Sequence, residues 1–333
     1  MKALVYLGPN HLIHRDEPDP VPNPGEVLVR VEAVGICGSD MHAYHGHDSR
    51  RPPPLILGHE AAGRIVGGPR DGQRVTINPL VVDPTCPYAI EGRWHLSPSR
   101  QIISMPPRAG AFADLVTIPE RNVVAIPDDL PIEVAALAEP IAVAWHAVRL
   151  GVERLHQPLA ACRTVVLGGG AIGLASALVA RLFGARQISL GEPNPLRRRT
   201  IGAHEGFDVY APGGAADPAD NSVDLVIDAV GAGATRAAAS AMIRPGGVIV
   251  HAGLLPGTDG LDLRKITLQE VTLTGTYCYT PTDFAQTVAA LAARSLGTLR
   301  WFEERPLAEG PGAFADIDAG ATAAAKIILR CGA

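Results

Sequence analysis

Long apolar runs, a disulfide framework and a basic surplus are all missing from this chain. Its 333 residues include five cysteines, Cys37, Cys86, Cys162, Cys278 and Cys331, an odd and widely spaced set. That spacing excludes a disulfide scaffold and suits a reducing compartment, so a cytoplasmic location is expected. Net charge is −5 and no basic block occurs, which excludes nucleic acid as the expected partner. The triple Arg197 to Arg199 reads as the solvated face of a short helix. The longest uncharged apolar stretch, Thr164 to Ala180, is broken by Gly168, Gly169, Gly170 and Gly173. It reads as a strand, a turn and a helix, and not as a membrane span. The opening MKALVYLGPN lacks the apolar core of a leader and reads as a first strand.

What is present is enough apolar material, 47% of the chain, for two buried cores. The first part holds short β-branched runs with Gly punctuation, EVLVRVEAVGI, EAAGRIVGG and QRVTINPLVV, and suggests an antiparallel, barrel-like β domain. From Leu137 to Leu150 the spacing is helical, with Pro140 suited to the first turn. Strands and helices then alternate: TVVL, AIGLASALVARLFGA, QISLGE, VDLVIDAVG, an Ala-rich helix from Ala234, PGGVIVHAGLL and VTLTGTY. Alternation of that kind predicts a parallel, doubly wound sheet, an α/β architecture. A helix over 284–293 and a last strand, AKIILRC, return to the first domain. The expected division is 1–139 with 277–333 as one domain and 140–276 as the other.

Gly168, Gly170 and Gly173 form G-x-G-x-x-G between a strand and a helix. The first glycine permits the turn, the second lets a pyrophosphate approach and the third lets helix and strand pack closely. Glu192 ends the next strand, where a carboxylate accepts from ribose hydroxyls and repels a 2′-phosphate; this favours NAD over NADP. Arg197 weakens that preference. The candidate cofactor contacts are Gly168, Gly170, Ala171, Ile172, Gly173, Glu192 and Arg197, with Val230, Gly253 and Leu254 at later strand ends.

The stretch GICGSDMHAYHGHDSRRPPPLILGHE, Gly35 to Glu60, concentrates metal-ligating side chains. A thiolate at Cys37, an imidazole at His59 and a carboxylate at Glu60 are zinc ligands by type. Their long spacing means that separate elements of a prebuilt domain supply them, as catalytic sites with an open position require. His45 and His47 fall in a polar loop and receive no role, and His146, beside Trp145, reads as a core histidine.

Five motifs carry a resemblance over nearly the whole chain: GICGSDMH at Gly35, GHEAAG at Gly58, GAFAD at Gly110, AEPIAVAWHA at Ala138 and GGGAIG at Gly168. In order and spacing the chain resembles the zinc-dependent medium-chain alcohol dehydrogenases, and most of all their polyol branch of sorbitol and L-idonate dehydrogenases. The resemblance implies a GroES-like β-barrel catalytic domain beside a Rossmann cofactor domain. It implies that Cys37 and His59 bind a catalytic zinc, that Glu60 is a third ligand or moves in and out, and that Glu139 reaches the metal directly or through water. Asp40 would orient His59. Ser39 would bond the substrate hydroxyl, and His42 would pass its proton toward solvent. The reaction implied is hydride transfer between NAD and a secondary alcohol, a polyol or sugar derivative. Zinc serves that chemistry by acidifying a hydroxyl, much as it lowers the pKa of water from 15.7 to about 7. Tyr44 and Phe112 line the substrate pocket or only the core.

Two departures stand out. Many relatives hold a second zinc with four closely spaced cysteines, but Asn78 to Ala109 contains Cys86 alone, so one zinc per chain is expected. Polyol enzymes usually place an Arg near Tyr277 and Cys278, where this chain has none. Cysteine is a weak donor, so a less polar alcohol is an alternative substrate. A rival from another class is a nucleotide-binding redox sensor without catalysis, against which the intact Cys37, Ser39, His42, His59 and Glu60 set argues. Relatives join cofactor-domain sheet edges, which implies a homodimer or homotetramer with VIVHAGL as the candidate edge.

Overall fold

The computed structural model describes residues 1–332. Two sheets organise them. A seven-stranded mixed sheet runs Val123–Ala125, Arg74–Ile77, Glu60–Val66, Glu26–Gly35, Lys326–Arg330 and Phe302–Pro306, with Leu115–Pro119 also paired to Glu26–Gly35. Its apolar residues close over Val29, Val31, Ile65, Val75, Phe112 and Phe314. The long central strand Glu26–Gly35 serves three neighbours, so its register fixes the site: Gly35 lies opposite both Glu60 and Ile328. A Cβ at Gly35 would collide with Glu60 Oε2, so only glycine leaves room for that carboxylate.

The second sheet has six strands in the order Asp208–Tyr210, Gln187–Gly191, Arg163–Leu167, Val223–Asp228, Ile243–His251 and Thr272–Gly275. All five pairings are parallel, and the chain order reverses direction at Arg163–Leu167. Arg163–Leu167, Val223–Asp228 and the second half of Ile243–His251 are buried, which is why they read as continuous apolar runs. Helices Ala171–Leu182 and Ala138–Val152 cover one face through Leu174, Leu178, Ala144 and Val148. Helix Pro281–Ala292 packs against Ala138–Val152 through Phe284, Val288 and Leu291.

One expectation is corrected here. VIVHAGL is not a sheet edge, because Ile243–His251 is paired on both sides; the edge strands are Asp208–Tyr210 and, at the opposite end, Thr272–Gly275. Periodicity showed the strand, while its place in the order depends on crossovers that local pattern does not encode. No helix among the described residues is long and apolar enough to cross a membrane.

Candidate metal centre and cofactor cleft

Cys37 lies two residues past the strand Glu26–Gly35 and is the N-cap of helix Gly38–Tyr44. The Asp40 carboxylate accepts from Cys37 N at 3.0 Å and from Gly58 N at 3.3 Å, and faces His59 Nδ1 at 3.5 Å. One buried acid therefore fixes both ends of the long Cys37–His59 loop. Burial alone would raise its pKa, but His59, Arg51 and the backbone N–H hold it below the usual carboxylate value.

Cys37, His59 and Glu60 converge, with their ligand atoms all within 4.8 Å of one another. Burial opposes charge on His59, yet Asp40 and Cys37 outweigh it and hold its pKa well above the ordinary imidazole value. The pocket is anion-rich and draws in a cation. One is supplied by Lys326, fully buried, whose Nζ donates to Glu60 Oε1 at 2.7 Å and to Ile36 O at 2.8 Å. Glu60 Oε2 is buried with no hydrogen-bond partner among the described residues. That orphaned oxygen, together with a sulfur and a nitrogen donor, fits zinc. Glu139, at the start of helix Ala138–Val152, accepts from the Tyr279 hydroxyl at 3.0 Å. Burial first, and then Glu60, push its pKa up to about 7, while His59 opposes the shift.

Ser39 Oγ lies 3.5 Å from His59 Nε2, on the same short helix as His42 three residues on. His42 is half-buried, and burial lowers its pKa. Ser39 is tied down by a residue that sequence reasoning missed. Arg51, only 3% exposed, donates to Ser39 O, Ser104 O and Asp48 and lies 3.4 Å from Ser39 Oγ. Ser104 was missed as well; it holds a left-handed φ of 74° and puts its Oγ 3.3 Å from His59 Nδ1. Lys326 and Ser104 are remote in sequence from the motif, and only a charge within the apolar run AKIILR hinted at the first; Arg51 lies within the quoted stretch but in its polar loop.

Tyr44 and Phe112 both lie in the apolar core of the first sheet. Phe112 is 0% exposed and stacks edge-on against Phe314, which Tyr44 also meets. Tyr277 and Cys278 are half-buried, and Cys278 adopts a left-handed φ of 48°. Burial, and then Glu139, push its thiol up to about 12, and Cys37 adds to the shift, so it stands protonated beside the cluster. Residues 78–109 are held by apolar packing of Leu80, Val82 and Ala89, with Cys86 capping helix Pro87–Ile90 through Ala89 N at 3.4 Å. His95 packs edge-on against His146 with ring centroids 4.7 Å apart. His146 Nδ1 in turn lies 2.8 Å from Asp283 Oδ2.

The glycine turn opens at the C-terminal end of Arg163–Leu167, at the point where strand order reverses, which is where doubly wound sheets bind ligands. Gly168 has φ +99°, a Cβ at Gly173 would strike Gly168 O, and Gly170 caps helix Ala171–Leu182 facing open space. Ala171 and Ile172 follow it at the helix N-terminus, where free N–H groups favour phosphate. Val230 packs on Gly168, and a Cβ at Gly253 would strike Val230, so three strand ends meet around the turn; Leu254 beside them is 65% exposed. Glu192 accepts from Gly169 N at 2.8 Å and Asn194 N at 2.7 Å, and pairs with Arg197 at 3.5 Å.

A dinucleotide turn and a thiolate–imidazole–carboxylate centre on a separate β unit define a metal-dependent nicotinamide oxidoreductase. Comparison with known proteins gives the family. Residues 23–128 match the alcohol dehydrogenase GroES-like domain and residues 171–294 the zinc-binding dehydrogenase domain. The chain is 31% identical to sorbitol dehydrogenase of Macaca fascicularis, over 99% of this chain and 95% of that protein. It is 30% identical to L-galactonate-5-dehydrogenase of Escherichia coli K12, over 86% of each. A zinc-binding dehydrogenase of Sinorhizobium meliloti 1021, solved bound to NADP, superposes with a TM-score of 0.87 at 28% identity, covering 99% of this chain and 98% of that one. The chain belongs to the zinc-dependent medium-chain alcohol dehydrogenase family and is a dehydrogenase with zinc and nicotinamide as its cofactors.

Proposed function

We propose that the chain oxidises a secondary hydroxyl of a polyol or sugar acid, with NAD as acceptor and one zinc held by Cys37, His59 and Glu60. The observation that carries this is the convergence of those three ligand atoms within 4.8 Å. Zinc when bound supplies Lewis acidity to the substrate hydroxyl. The chain's own residues do the rest. Ser39 accepts the hydroxyl proton, and His42, half-buried on the same helix, takes it onward. Arg51 holds Ser39 in place, Asp40 and Ser104 orient His59, and Lys326 fixes Glu60 through one carboxylate oxygen. Glu139 is a further carboxylate at hand, braced by Tyr279. Sorbitol and L-galactonate, named for the two relatives, set the substrate class.

NAD is preferred over NADP because Glu192 presents its charge where a 2′-phosphate would sit. The edge strand Thr272–Gly275, with Leu263, Leu268 and Leu273 exposed around it, is the surface through which copies pair as a homodimer or homotetramer. Five free cysteines support a reducing, cytoplasmic setting. A second reading, oxidation of simpler alcohols, is favoured by Cys278, whose thiol packs with Leu80 and Val82.

Zinc content of wild type and Cys37→Ser, with NAD-linked oxidation of sorbitol, galactonate and simple alcohols alongside, tests the proposal. About one zinc per chain, lost with activity in Cys37→Ser, is the expected outcome. Activity that survives Cys37→Ser refutes the metal mechanism.

A further inference from the structure

We propose that the mouth of the site selects alcohols that carry an anionic group, a carboxylate or phosphate, and that Arg100 binds it. This deepens the dehydrogenase reading and rests on it.

Arg100 follows the turn Trp94–Leu96 and precedes strand Gln101–Ile102. Its guanidinium lies 4.7 Å over the ring of Tyr277. Nε donates to the Tyr277 hydroxyl at 3.3 Å and Nη1 to Ser97 O at 2.8 Å. Every one of these partners is neutral. Nη2 makes no hydrogen bond among the described residues, and Arg100 is in none of the ion pairs found there. The head is thus held rigidly from one side with a donor left over. Tyr277 adjoins Cys278, and Tyr279 beyond it donates its hydroxyl to Glu139 at 3.0 Å. The free donor therefore stands against the same short segment that reaches Glu139.

No carboxylate among the described residues pairs with Arg100. Arg50 and Arg51 both pair with Asp48, at 2.8 and 2.7 Å. Arg50 and Arg51 thus share the one carboxylate of Asp48, and Arg100 has no ion-pair partner among the described residues, in a chain whose net charge is −5. General basicity does not explain that surplus. A half-buried guanidinium without a counter-ion gains most from a ligand that brings one, and its planar fork matches carboxylate or phosphate oxygens. A neutral polyol offers no such charge. The left-handed backbone at Cys278 is a second sign, since non-glycine strain collects where it positions a functional surface.

The test uses the full-length zinc-loaded protein and a matched trio: sorbitol, gluconate and sorbitol 6-phosphate. Steady-state oxidation with saturating NAD is paired with calorimetric binding of the same compounds to the protein–NADH complex. Wild type should favour at least one anionic member over sorbitol by about tenfold or more in kcat/KM and in affinity, and the favoured arm tells carboxylate from phosphate. Arg100→Ala should raise KM and Kd for that anion about 10- to 100-fold while kcat and the sorbitol constants hold within about threefold. Arg100→Lys should recover part of the loss, and Arg100→Gln serves if the alanine variant folds poorly. Sorbitol favoured over both anions, or equal losses for neutral and anionic compounds in Arg100→Ala, overturns the inference: the first leaves the dehydrogenase reading standing and the second makes Arg100 a structural clamp. No turnover of any member by the zinc-loaded protein overturns both.

Discussion

Removing the ammonium of Lys326 leaves the Glu60 carboxylate buried with nothing to balance it. The pair is 2.7 Å long, with side chains 2% and 0% exposed, so solvent does not rescue the survivor. Breaking such a pair costs about 3–5 kcal/mol. A cation at Cys37, His59 and Glu60 replaces part of that balance. Lys326→Met is therefore expected to lose more thermal stability on chelation of zinc than wild type does; equal chelator effects would show that Glu60 does not face the metal. At this scale the ligands were legible because Cys37, His59 and Glu60 stand in motif order. Their supports were not. Lys326 lies 266 residues from Glu60, and Arg51 and Ser104 reach the site through loop geometry, which carries no periodicity. Phe112 showed the reverse problem: an aromatic in a family motif says nothing by itself about which side of a barrel wall it fills.

Among the elements, the alternating strands and helices of the parallel sheet were readable because each is long and buried. Strand Arg163–Leu167 and helix Ala171–Leu182 fall where TVVL and AIGLAS put them. Among the elements that escaped notice are helix Gly310–Asp318 and strand Phe302–Pro306, whose EERP reads as polar because it pairs on one side only. Segment 78–109 is fixed to helix Ala138–Val152 partly by a histidine contact. His95 is 5% exposed and faces His146, with Asp283, Arg149 and Arg100 nearby. Burial, then the cationic neighbours, bring its pKa down to about 4. The unfolded value is about 6.5. Above that pH both states leave His95 neutral and nothing is lost. Between about 6.5 and 4 the unfolded chain binds a proton that the folded chain refuses, so stability falls as pH falls, by about 3 kcal/mol in all. His95→Phe should shrink the drop in melting temperature between pH 7.5 and pH 5; an unchanged drop would assign the acid sensitivity elsewhere.

For the whole molecule, cofactor choice and assembly follow from the parallel sheet. Glu192→Gln keeps the shape of the side chain and removes its charge. The ratio of kcat/KM for NAD to that for NADP should fall about tenfold, equivalent to about 1.4 kcal/mol. A ratio that does not move would mean that Glu192 serves only Gly169 and Asn194. Assembly is tested at the sheet edge. Leu268 is 68% exposed beside Thr272–Gly275, and Leu268→Arg should lower the mass measured by light scattering to that of one chain if copies pair there. A mass unchanged from wild type would place the contact on another surface.

The position of strand Lys326–Arg330 bears on how the protein is made. It lies between Glu26–Gly35 and Phe302–Pro306 and brings the countercharge for Glu60. A ribosome delivers Cys37, His59 and Glu60 early, then the entire parallel sheet, and only much later the lysine. Domains fold in the order of their synthesis where they can. Here the parallel sheet is free to form while the barrel around the ligands still lacks an inner strand. Metal acquired during translation would meet a half-walled, over-anionic pocket open to any divalent ion, so faithful loading belongs to the time after Arg330 has emerged.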